Sequence, residues 1–144
     1  MANLRTAVSA DEAQIRALIG ELENAEPDST LFSIIFSQNM DNPDVNYYVY
    51  ENNNTIIGFV SIHIQYLLHH SAKIAEIQEL VVAESHRHRG VGSMLFQKAV
   101  DISHDLGCAQ LEVCCNQRRL PSHEFYLSKG MTNNHYKFCL RLDD

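Results

Sequence analysis

No stretch of the 144 residues strings together the roughly 20 apolar residues that a membrane-crossing helix needs. The first residues, MANLRTAVSADE, have no apolar core of the kind a secretion signal carries. Basic residues are scarce: 11 Lys and Arg stand against 18 Asp and Glu, for a net charge of -7. A general nucleic-acid binder displaces counterions with a broad basic surface, which this composition does not offer. The four cysteines, Cys108, Cys114, Cys115 and Cys139, show neither CxxC spacing nor an even framework of bridges. Internal repeats, linkers and low-complexity tracts are missing too. The expectation is a cytoplasmic protein, one domain over residues 1–144, with small buried thiols and neither nucleic acid nor membrane as partner.

The chain reads as alternating elements. A strand is predicted at Asn3 to Val8, followed by a Ser9–Glu12 capping box and a helix to about Asn24. A second amphipathic helix spans about Thr30 to Met40, with Leu31, Ile34 and Ile35 on one side. NYYVYE, a turn at Asn52-Asn53-Asn54, TIIGFVSIHIQYL and IAEIQELVV then read as three strands. VGSMLFQKAVDISHDLG is a helix with Met94, Leu95, Ala99 and Ile102 along one face, and Gly107 stops it. AQLEVCC is a strand with Cys114 and Cys115 on opposite faces, PSHEFYLSKG a short helix, and HYKFCLRL a closing strand. Hairpins precede crossovers, so the fold class is α/β (α+β): a mixed central sheet with helices on its faces.

One short basic stretch, HRHRGVGS (residues 86–93), sits between a Val- and Leu-rich strand and a long helix. Helix N-termini gather unpaired N–H groups and the positive end of the dipole. Gly90 and Gly92 let a ligand approach the backbone closely, which suits a pyrophosphate. A Walker loop would need Gly-Lys followed by Ser or Thr, and a dinucleotide fingerprint a third glycine where Leu95 stands.

Arg87-His88-Arg89-Gly90-Val91-Gly92 resembles the acetyl-CoA pyrophosphate loop of the GCN5-related N-acetyltransferases (GNAT). ELVVAESHRHRGVGSML reads like that family's central motif, and Phe125-Tyr126-Leu127-Ser128-Lys129-Gly130-Met131 resembles a second one. A narrower similarity, to aminoalkylphosphonate N-acetyltransferases, lies in SIHIQYLLHH, IAEIQELVV, and Asn116 with a basic pair and His123-Glu124-Phe125-Tyr126. The resemblance implies a GNAT fold with a splay between two central strands and acetyl-CoA lying in it. Backbone near Leu80, Val81 and Val82 would hold pantetheine. Amides from Arg87 through Ser93 would take the pyrophosphate, with Asn116 and Tyr126 as further cofactor contacts. It also implies a divalent-metal requirement, with no ligand set assigned, and a homodimer.

An alkylammonium has a pKa near ~10, so a base must free it before it attacks a thioester. Glu76 and Glu79 are the candidates on the central strand, and regular alternation puts them on opposite faces. Through the resemblance, the Val82 amide would serve the oxyanion and Tyr126 the departing thiolate. His69 and His70 lie near the expected acceptor site, and Arg118 and Arg119 suit a phosphonate. The implied reaction is acetyl transfer to the primary amine of a small aminoalkylphosphonate. Alternatives are a polyamine, aminoglycoside or protein amine as acceptor, or a non-catalytic acyl-CoA sensor.

Overall fold

The structure, a computed structural model, describes residues 2–143. It comprises two compact units, the first ending at Glu112 and the second beginning at Val113. In chain order the elements are β1 (Ala2–Thr6), α1 (Glu12–Glu23), α2 (Ser29–Met40), β2 (Val45–Asn52), β3 (Thr55–Leu67), β4 (Ala72–Val82), α3 (Val91–Asp105), β5 (Gln110–Val113) and α4 (Leu120–Ser128). The five strands form one mixed sheet in the order β1-β2-β3-β4-β5. The first three pairings are antiparallel. After the α3 crossover, Ala109 N–H donates to Lys73 O at 2.9 Å, so β5 starts beside the start of β4.

The β2–β3 hairpin turns on Asn53 and Asn54, both at positive φ (50° and 65°). Two consecutive left-handed residues match the twist of a two-residue hairpin, and asparagine tolerates them. From Gly58 onward β3 alternates cleanly. Phe59 joins Ala7, Ile15, Leu18, Phe36, Val49 and Val81 in the core on the α1 and α2 face. Gly58 points the other way: a Cβ there would lie 2.9 Å from Leu95 Cδ1 and 3.1 Å from Val91 Cγ1. The missing side chain therefore lets α3 seat directly on the sheet, with Leu95 and Ala99 fully buried.

The start of α1 is held by charge. The predicted Ser9–Glu12 box is replaced one residue earlier: Val8 N–H donates to the Asp11 carboxylate at 2.8 Å, ahead of a short 3-10 turn. Arg5 bridges to both Asp11 oxygens (2.8 and 3.0 Å) and to Glu51 (2.8 Å). Those bonds hold the Asp11 carboxyl below its ordinary 3.8, against the opposing effect of burial. A depressed folded-state pKa stabilises above the unfolded value and fades as pH falls through the folded one. Asp11→Asn should therefore cost about 1–3 kcal/mol at pH 7. Chemical denaturation should show that gap closing only as the pH drops below about 3.8.

Four expectations need correction. HYKFCLRL is not a strand, and residues 131–143 lie in no helix or strand. Its alternation is real, yet Tyr136, Phe138, Leu140 and Leu142 are between 81 % and 93 % exposed. Period-2 patterning marks a strand only where a ladder partner receives it. On α2, Phe36 takes the buried position and stacks on Tyr47 at 5.5 Å, leaving Leu31, Ile34 and Ile35 outside. Ring area outweighs aliphatic area in choosing the inward face. On α3, Phe96 is buried and Met94 is 40 % exposed. The four cysteines form no disulfide: Cys108 and Cys115 are half-buried, Cys114 and Cys139 exposed. Strand β5 ends at Val113, so Cys114 and Cys115 lie beyond it.

Candidate active site

Between Ser61/Ile62 and their partners the β3–β4 register slips: Ser61 faces Glu79 while Ile62 faces Ile77. Gln78 is the extra residue of a β-bulge. Without it, Glu76 and Glu79 would point to opposite faces. With it, Glu76 opposes His63 and Glu79 opposes Ser61, two residues apart on one side of β3. Both carboxylates therefore stand on the α1 and α2 face, which corrects the expected separation. Both residues are half-buried. Next in the row comes Tyr47, opposite Ser61 on β2, whose hydroxyl accepts from Asn39 Nδ2 at 2.6 Å. Burial pushes the Tyr47 hydroxyl up, with Glu79's charge adding to it.

Ala83 N–H bonds Ile57 O at 2.8 Å, which sets the phase of the ladder beyond the bulge. Hydrogen-bonded and non-bonded pairs alternate in antiparallel sheets. Leu80 and Val82 then turn their main-chain groups away from β3, while Val81 is bonded to it and buries its side chain. Arg87 Nε donates to Val82 O at 3.1 Å, so this guanidinium ties the loop to the end of β4.

The loop ends in two left-handed residues, His88 (φ 64°) and Gly90 (φ 84°). Gly90 is the N-cap of α3 and has no side chain to accept from the first-turn amides. A Cβ at this position would point into open space, with no atom beyond its chain neighbours and the helix's own backbone within 4 Å. Arg87, His88 and Arg89 are exposed, Val91 is buried, and Gly92 and Ser93 are half-buried.

In the second unit, Asn116 organises the entry to α4. Its Oδ1 accepts from Arg118 N–H at 2.9 Å, and its carbonyl accepts from Arg119 N–H (3.0 Å) and lies 2.8 Å from His123 Nε2. Arg118 is exposed and Arg119 half-buried. Tyr126 packs edge-on against Phe125 at 5.2 Å. Burial pushes its hydroxyl up to about 12, Cys115 adds to the shift and Arg119 opposes it.

His69 and His70 sit in the β3–β4 turn with ring centroids 4.3 Å apart, and His70 Nε2 lies 3.9 Å from Glu112. From Ala72 to Glu79 the strand rises roughly 20 Å, six ladder positions at ~3.3 Å each with the bulged Gln78 not counted. The structure does not bring these histidines to the carboxylates. Among the described residues, no group of three or more His, Cys, Asp or Glu side chains is arranged to hold a metal ion. The donor set thus does not fit an implied metal. Sequence reading missed Ser61, His63 and Tyr47; the signal for the first two was a pair of polar residues inside the apolar TIIGFVSIHIQYL.

A bulged strand that turns main-chain groups away from its neighbour thus leads into a helix opened by a glycine. The sequence matches the Acetyltransferase (GNAT) family over residues 12–131. The chain belongs to that family and is an acetyltransferase, and the enzymes of this family use acetyl-CoA. It is 36% identical, over 96% of its length and 90% of the relative's, to an Aminoalkylphosphonate N-acetyltransferase of Salmonella typhimurium. A transcriptional regulator from Bacillus halodurans C-125 superposes with a TM-score of 0.91 at 17% identity, covering 99% of this chain and 100% of that one. An aminoglycoside N-acetyltransferase in complex with CoA gives 0.86 at 17% identity, covering 98% and 94%. These two likenesses concern the fold. Among the described residues, no helix is long and apolar enough to cross a membrane.

Proposed function

We propose that this acetyltransferase moves the acetyl group of acetyl-CoA to the primary amine of a small aminoalkylphosphonate, as a cytoplasmic homodimer. One observation carries the amine chemistry: the Gln78 bulge sets two carboxylates on one face of β4, just before the main-chain groups that turn outward. The substrate class is supported by the relative 36% identical across nearly the whole chain.

In this reading Leu80 offers its outward main-chain groups to pantetheine, while Val82 O stays with Arg87 Nε and leaves the Val82 N–H for the reacting carbonyl. The loop from Arg87 to Ser93 and the α3 amides receive the pyrophosphate, and Gly90 leaves room for it. Glu79 takes a proton from the ammonium, directly or through one water, with Glu76 beside it holding the positive charge. The freed nitrogen attacks the thioester carbon. The Val82 N–H meets the oxyanion, the C–S bond breaks with its electron pair leaving on sulfur, and the second proton of the nitrogen passes through water to the thiolate as the amide forms.

Tyr126 stays protonated at neutral pH, its hydroxyl held at about 12. A thiol titrates near ~8.5, so complete transfer from Tyr126 to the thiolate is uphill. By its resemblance to the family, Tyr126 is assigned as the hydrogen-bond donor to the departing sulfur and Asn116 as a cofactor contact. Arg118 and Arg119 offer guanidinium forks to the phosphonate. No step runs through a metal.

A thiol-release assay on aminomethylphosphonate, 2-aminoethylphosphonate, a polyamine, an aminoglycoside and simple alkylamines tests the reading. The two phosphonates should show the highest kcat/KM. Equal turnover of plain alkylamines would reject the substrate class, and CoA binding without turnover would reject the enzyme reading.

A further inference from the structure

We infer that Ser61 is a positioning residue for Glu79, which rests on the reading of Glu79 as the base. Ser61 is fully buried in the middle of β3, where most neighbouring side chains are apolar. A hydroxyl at such a place needs partners, and it has them on one residue. It accepts the Glu79 backbone N–H at 2.9 Å and donates its own proton to Glu79 Oε1. Main chain and side chain of Glu79 are thus clamped by one oxygen, at the residue that follows the bulge.

The clamp solves a problem the bulge creates. An extra residue loosens the ladder and lets the next side chain swing. A glutamate has three rotatable bonds, and a base must hold its oxygen within hydrogen-bond reach of one proton. Tying Oε1 to Ser61 fixes the carboxylate and leaves Oε2 for a water or an ammonium. Tyr47 opposes Ser61 on the other side, with its ring at 5.5 Å from Phe36 and 5.3 Å from Phe59. Ser61 is thereby walled in and cannot turn its hydroxyl to solvent. Its role is orientation; it neither touches the substrate nor exchanges a proton with it.

A double-mutant cycle tests this on the full chain, with Ser61→Ala, Glu79→Gln and the pair, and Ser61→Cys as a volume-matched second variant. Ser61→Ala should lower kcat by about 10- to 100-fold, the worth of a hydrogen bond to a charged group. The KM for acetyl-CoA should stay unchanged, because the coenzyme contacts lie further along the chain. In the Glu79→Gln background the same change should alter kcat by less than about twofold, since residues acting through one another do not add. Ser61→Cys should behave like Ser61→Ala and covers the case where alanine fails to fold. Equal losses in both backgrounds, or a raised KM for acetyl-CoA with kcat intact, would overturn the positioning role and leave Glu79 as the base. Full activity of Glu79→Gln would overturn the base reading and this inference with it.

Discussion

Glu79→Gln is expected to lower kcat at pH 7 by about 10²- to 10⁴-fold, the usual contribution of a positioned base. Acetyl-CoA affinity should hold, because the groups proposed to face the coenzyme are main-chain atoms of Leu80 and of the loop after β4. The residual rate carries a second signature. An alkylammonium with a pKa near ~10 supplies roughly ten times more free amine for each pH unit gained below that value. The variant should therefore recover about tenfold per unit between roughly pH 7 and 9, approaching the parent. A flat profile would mean that deprotonation is not what Glu79 provides, and Glu76, on the same face, would be the next residue to exchange.

Gly58→Val is the second large effect, and it acts without touching a ligand. Any Cβ at this position would meet Leu95 at 2.9 Å and Val91 at 3.1 Å. Val91 is the first residue of α3, so the strain falls on the turn proposed to receive the pyrophosphate. Leu95 is fully buried and cannot step aside without moving the helix. Overpacking of this kind costs about 1–3 kcal/mol of stability. Displacing the helix mouth by about 1 Å should cost on the order of 10²-fold in kcat/KM for acetyl-CoA. Calorimetric titration with CoA, beside a thermal melt, separates the two. A folded Gly58→Val protein that binds CoA like the parent would show that α3 can shift without loss of the cradle.

Much of this was legible in the residues. The hydrophobic patterns placed nine elements close to where they lie, and the Asn52–Asn54 turn follows from asparagine's tolerance of positive φ. The loop before α3 was readable because glycine and helix termini have chemistry of their own. What could not be read was anything that depends on a partner strand. The β4 bulge hinges on how Gln78 pairs, and a single chain segment does not announce its register. So the relation of Glu76 to Glu79 came out inverted, and Ser61 went unnoticed inside an apolar run. HYKFCLRL failed for the same reason: alternation is local, whereas pairing is not. The histidine pair lies far from the two carboxylates, since neighbours in sequence to a strand need not neighbour its far end.

The bulge has one more effect. Two negative charges some 7 Å apart along a strand, on a single side of a sheet, produce a field that neither would alone. A zwitterion of the proposed substrate class would experience a torque there, its ammonium drawn inward and its phosphonate pushed back. Orientation is then decided during approach, before any contact forms, and one surplus glutamine in the ladder is what makes the molecule polar in that sense.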